Sequence, residues 1–222
     1  MRYHLDAERI SLDEVRKRIE ETDLIPSRTS LLDGISTKIK ALKQHGVTTL
    51  ASLQKELKNS RRLEALSNTT GIDRQYLTLL RREINGYFPK PPALKDFDWL
   101  PGGEIATLEE KGIRHAAGLY ETTSSLEDRT ELAKSTGVDM AILEELFRLA
   151  DLTRVRWVSP TTARMLVEAG YDSASKVAAA NAEDLYEALV CVNEGEKFFK
   201  ERSVCVTSND LSGPLLTSLS EC

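Results

Sequence analysis

Hydrophobic residues recur along this chain at spacings of three and four, and the pattern returns after 66 residues. Ile39, Leu42, Gly46, Val47 and Leu53 align with Ile105, Leu108, Gly112, Ile113 and Leu119. The same shift carries Leu66-x-x-x-Thr70-Gly71-Ile72-Asp73 onto Leu132-x-x-x-Thr136-Gly137-Val138-Asp139. Leu77, Leu80 and Arg82 then meet Leu143, Leu146 and Arg148. A partial third copy lies 58 residues after the second, pairing Trp99 with Trp157, Leu108 with Leu166, Gly112 with Gly170 and Leu119 with Val177. Each unit reads as a short hairpin and a helix that stops at glycine, then a turn and another helix. Thr-Gly-(Ile/Val)-Asp ends one helix and starts the next, with Asp73 or Asp139 as N-cap.

The flanks add boundaries. Ser11 to Glu14 is a capping box and Ile10 with Val15 a hydrophobic staple, which predicts a helix from about Leu12 to Thr22. A second box, Ser124 to Glu127, opens the helix before Gly137, and Asn181 caps a helix over Ala182 to Cys191. Tyr87-Phe-Pro-Lys-Pro-Pro-Ala93 excludes helix. Past about Lys200 the chain turns rich in Ser and Thr, with Gly213-Pro214 as a break; a loosely ordered tail with a short closing helix is expected. The prediction is therefore an all-α fold of tandem helical-hairpin repeats. Its parts are an N-terminal helical segment (1–23), a first unit (24–86), a Pro-rich linker (87–95), second and third units (96–200) and a tail (201–222).

Charge distinguishes the units. The chain of 222 residues has a net charge of −5, yet residues 34–95 hold twelve Lys or Arg against four acids, a local +8. Residues 1–33 carry −2 and residues 96–222 carry −11. Such asymmetry implies a polyanionic partner or an internal contact between unlike parts. At 41 % hydrophobic and 29 % charged residues, the composition is that of a soluble globular protein. Cys191, Cys205 and Cys222 have no C-x-x-C spacing, and no apolar run approaches the ~20 residues of a membrane span. A cytoplasmic protein without signal peptide, membrane contact or structural zinc is expected.

With the hairpins placed, the chain resembles the helix-hairpin-helix superfamily, and within it the bacterial family called domain of unknown function 4332. The match is carried best by Ala150-Asp-Leu-Thr-Arg-Val-Arg-Trp-Val-Ser-Pro-Thr-Thr-Ala-Arg-Met-Leu-Val-Glu-Ala-Gly-Tyr-Asp-Ser173 and by Asn181 through Asn193. It spans about 24–200 and is most specific from Trp99 to Asn193. The resemblance implies an array of helical hairpins and names no activity. In the wider superfamily a Gly-hydrophobic-Gly hairpin lets backbone N–H groups reach a DNA phosphate. Here the third unit has Trp157-Val158-Ser159 at that place and the second Trp99-Leu100-Pro101, both departures. Only Gly34-Ile35-Ser36-Thr37-Lys38 keeps Gly-hydrophobic-small with a following Lys.

The candidate nucleic-acid contacts are Gly34, Ser36, Lys38, Lys40, Lys43, Arg61, Arg62, Arg74, Arg81 and Arg82, with Arg74, Thr78 and Arg82 on one helical face. The competing reading of these charges is a solvated basic face, or one docked on acidic protein. Trp99 and Trp157 could stack on bases, but their repetition at one position predicts core. His4, His45 and His115 have no metal-ligand spacing and read as surface or capping residues. The chain has no G-x-S-x-G, P-loop or H-E-x-x-H motif, and Glu109-Glu110 and Glu144-Glu145 read as solvated charges. The expectation is a binding protein with no catalytic residues, cofactor or small-molecule substrate. Its partner would be DNA or RNA, held without sequence readout. The alternative is a scaffold or adaptor that binds protein or itself.

Overall fold

The computed structural model describes residues 2–199. The expected tail, with Cys205 and Cys222, lies outside them. The described residues are helical and contain no β-strand; the chain divides into two compact bodies.

Among the described residues, the first body is Leu5–Phe88. Its helices are α1 (Leu12–Glu21), α2 (Ile35–Gln44), α3 (Leu50–Leu57), α4 (Ser60–Thr70) and α5 (Arg74–Asn85), with a 3-10 turn at Pro26–Leu32. The capping box opens α1 as expected: the Ser11 backbone N–H donates to Glu14 Oε2 at 2.7 Å. Leu12, Val15 and Ile19 then fall on one face and are fully buried, against a core that includes Leu42, Leu53 and Leu77. Burial of each such side chain stabilises by roughly 1.5–3 kcal/mol. The hydroxyl of Tyr76 donates to the Leu31 carbonyl at 2.8 Å, which fixes the 3-10 turn to α5.

The second body comprises residues 2–4 and 89–199 of the described chain. It holds a 3-10 turn (Leu94–Asp96), then α6 (Gly102–Glu110), α7 (Ala116–Thr122), α8 (Leu126–Thr136), α9 (Met140–Leu152), α10 (Pro160–Glu168), α11 (Ala174–Ala179) and α12 (Ala182–Glu196). α9 is the axis, with α7, α8 and α10 packed on it. The N-cap of α8 is Ser125 with Asp128, one residue later than the box read at Ser124 to Glu127; Asp128 supplies the acceptor to the Ser125 N–H at 3.0 Å. The 87–95 segment is not a linker throughout. Leu94 is fully buried, and Pro92 O accepts from Ala116 N at 2.9 Å, so residues 92–94 are built into the second body.

The repeat is physical. Gly46, Gly112 and Gly170 each sit at φ +87, where a side chain would be strained. The next residue donates back five positions in each copy: Val47 to Leu42 O at 3.0 Å, Ile113 to Leu108 O at 3.0 Å and Tyr171 to Leu166 O at 2.8 Å. That bond and left-handed glycine together close a helix with the Schellman geometry. The helix that follows has its first N–H anchored upstream each time. Leu50 N donates to Ile10 O at 2.8 Å and Ala116 N to Pro92 O at 2.9 Å, while Ala174 N uses the Asp151 carboxylate at 2.8 Å. A side chain thus stands in the third unit where the first two use a carbonyl.

One hairpin position separates the copies. Gly34 has φ +59 and Trp157 φ +68, so an aromatic residue occupies a left-handed conformation. Left-handed backbone costs a residue with a Cβ about 1–2 kcal/mol. Trp157→Gly is expected to be more stable than Trp157→Ala by about 1 kcal/mol, since both lose the indole and only Gly tolerates the φ. Urea unfolding of the two variants measures this; equal midpoints would contradict it.

Candidate nucleic-acid interface

In the first body, α2 begins behind Gly34 in the left-handed region, with no side chain capping its first turn. That start leaves backbone N–H groups for an outside acceptor. Lys38, the following cation, is turned to the hairpin itself: its Nζ donates to the Asp33 carbonyl and lies 4.2 Å from the Tyr76 ring centroid. Ser36 Oγ accepts from Arg16 Nη1 at 3.1 Å, which brings α1 to the same place.

Two open grooves gather charge on this body. One, of about 170 Å³, is lined by Asp13, Arg16, Ser36, Ile39, Lys40 and Lys43. Its residues come from facing sides of α1 and α2. Lys43 pairs with Asp13 at 2.5 Å, and the hydrogen bond from Lys43 holds the Asp13 carboxyl below its ordinary range. Lys40 and Arg16 supply the remaining positive charge. The other groove, of about 430 Å³, is lined by Gln54, Lys55, Leu57, Lys58, Arg81 and Asn85. Here α3 and α5 contribute three cations and two amides with no carboxylate among the lining residues. Tyr76, close to the first hairpin, has its phenol pushed up to about 12 by burial, so its hydroxyl remains a donor.

The predicted residues therefore do not form one patch. Ser36, Lys40 and Lys43 meet in the first groove and Arg81 lies in the second, but Arg61, Arg62, Arg74 and Arg82 line neither. Arg62 is engaged with Glu56 at 3.4 Å, and Arg61, Arg74 and Arg82 are exposed on α4 and α5. Arg16, Lys55 and Lys58 enter in their place. The i, i+3 spacing of Lys55 and Lys58 could have placed them on one face, whereas Arg16 lies in an acidic stretch whose packing on α2 no local pattern discloses.

The expectation that both tryptophans are core is corrected. Trp99 packs partly buried, edge-on to Phe97, with its indole N–H donating to Glu145 at 3.4 Å. Trp157 is 56 % exposed, because its left-handed backbone turns the side chain outward, where Arg156 lies 5.0 Å from its ring centroid. His45 and His115 are exposed at helix ends. Among the described residues no His, Cys, Asp and Glu cluster is placed to hold a metal ion, and no helix is long and apolar enough to cross a membrane.

Helical hairpins in register, each closed by a left-handed glycine, with open basic grooves on one body, define an all-helical repeat protein. Residues 103–211 match the model of a family described as Domain of unknown function (DUF4332), so this part of the second body is similar to that family. Comparisons with curated proteins and with solved structures returned no match.

Proposed function

We propose that the chain is a non-catalytic, helix-hairpin-helix-like protein that binds DNA or RNA through its Leu5–Phe88 body without reading sequence, in the cytoplasm. The observation that carries this reading is the open groove lined by Lys55, Lys58 and Arg81, with no carboxylate among its lining residues. The Arg16 and Lys40 groove and the uncapped start of α2 extend the same chemistry. Cations and backbone N–H groups of this kind hold phosphates and carry no base readout. The late, unclustered cysteines support a reducing compartment.

Fluorescence anisotropy with labelled single- and double-stranded oligonucleotides tests the proposal. Five phosphate contacts imply an affinity that falls roughly 10²–10³-fold as salt rises from about 50 to 200 mM. Reversal of Lys40, Lys55, Lys58 and Arg81 to Glu should abolish binding and leave helical content unchanged. Absence of binding even at the lower salt would sink the proposal. The adaptor reading stands second, on the exposed Trp157 with the half-buried Arg156 over its ring, since Trp and Arg are enriched at the energetic centres of protein interfaces.

A further inference from the structure

Arg2–His4 form no helix, yet Tyr3 is 1 % exposed, seated among residues more than a hundred positions away in the chain. The socket reads backbone and side chain together. Tyr3 N–H donates to Glu121 Oε1 at 3.0 Å, and its carbonyl accepts from Arg154 Nε at 2.9 Å. Its phenol donates to Thr153 Oγ1 at 3.0 Å, and its ring stands edge-on to Tyr120, with centroids 6.0 Å apart. Main-chain bonds that give affinity, combined with a pocket for one side chain, are how extended peptides are recognised.

The socket is held by its own bonds. Thr153 Oγ1 donates to Ala150 O at 3.0 Å, which leaves it as an acceptor for an incoming hydroxyl. Arg154 is fixed by Asp151 at 2.8 Å and lies 4.3 Å over the Tyr120 ring, and it also donates to the Tyr120 hydroxyl. The second oxygen of Asp151 is committed to Ala174 N. None of these contacts needs Tyr3. Removal of the Tyr3 ring leaves a cavity in the core cluster it belongs to, which a tyrosine supplied in trans would fill. Burial pushes the Tyr3 phenol up to about 12, so it stays a donor across the neutral range.

We infer that this socket, on the second body, is a binding site for an unmodified tyrosine in a short, non-helical peptide segment, filled here in cis by Arg2–His4. A Phe would leave the Thr153 acceptor unused, and a phosphorylated tyrosine would bring no donor and too much charge for a fully buried place. The tethered segment acts at an effective concentration of order mM, so a competing peptide binds weakly until that segment is removed.

A fluorescein-labelled peptide of residues 1–8, Met-Arg-Tyr-His-Leu-Asp-Ala-Glu, tests the site against the full chain by anisotropy. Tyr3→Ala should bind it saturably and the wild type at least about tenfold more weakly. The Tyr-to-Phe peptide should bind Tyr3→Ala about fivefold more weakly than the Tyr peptide. Should Tyr3→Ala lose its circular dichroism, Tyr3→Phe decides, because it keeps the ring and weakens only the cis ligand; it should bind the peptide more tightly than wild type. A folded variant that binds no peptide, or binds it as the wild type does, overturns the proposal.

Discussion

Arg28→Ala is expected to destabilise the Leu5–Phe88 body by about 3–5 kcal/mol, the cost of breaking a buried ion pair from one side. Arg28 Nη1 lies 2.5 Å from Glu83 Oε2, with the side chains 13 % and 0 % exposed. The carboxylate sits inside the α5 core face beside Ile84, where water cannot replace the lost guanidinium. The pair itself need not be strongly stabilising, since desolvating both ions offsets most of their attraction. Arg28→Met combined with Glu83→Leu should therefore recover most of the loss, as neither member leaves a charge behind. Urea unfolding followed by circular dichroism measures both variants. A single mutant within about 1 kcal/mol of wild type would show that the pair is not desolvated as its exposure implies.

Asp151→Ala is expected to cost the second body about 3 kcal/mol or more, because one carboxylate serves two buried partners. Its Oδ1 accepts from Arg154, which is 3 % exposed, and its Oδ2 accepts from the first N–H of α11. The backbone carbonyls that fill the latter role in the other units cannot be removed by mutation, so the third unit is the one open to this test. Asp151→Asn should fall between the two: its amide oxygen can still accept from Ala174 while the charge opposite Arg154 is gone. Thermal unfolding that ranks wild type, Asn and Ala in that order fits the account, and three equal midpoints would not.

Much of the helical order was legible because local chemistry sets it. Asp73 and Asp139 accept from the first N–H groups of α5 and α9, and Gly71 and Gly137 end α4 and α8, so these boundaries follow from residues within one turn. The same holds for Ser11 and Asn181. The site was legible only in part. Lys40, Lys43 and Arg81 lie in grooves, but Lys43 and Arg62 pair with Asp13 and Glu56 and Lys38 donates to the Asp33 carbonyl, and a count of charges along the chain does not reveal such engagement. Trp157 misled because equal sequence positions need not share a backbone conformation.

The sequence by itself determined where helices start and stop and that the units repeat, since caps, glycine stops and apolar spacing act over three to six residues. Only the tertiary structure decided which charges share a groove, that Glu83 is buried with Arg28, and that Tyr3 is seated beside Thr153 and Arg154. The Arg28–Glu83 pair joins residues 55 positions apart, and the Tyr3–Thr153 bond residues 150 apart. They depend on how helix faces meet, and desolvation there sets the strength of each charge and hydrogen bond.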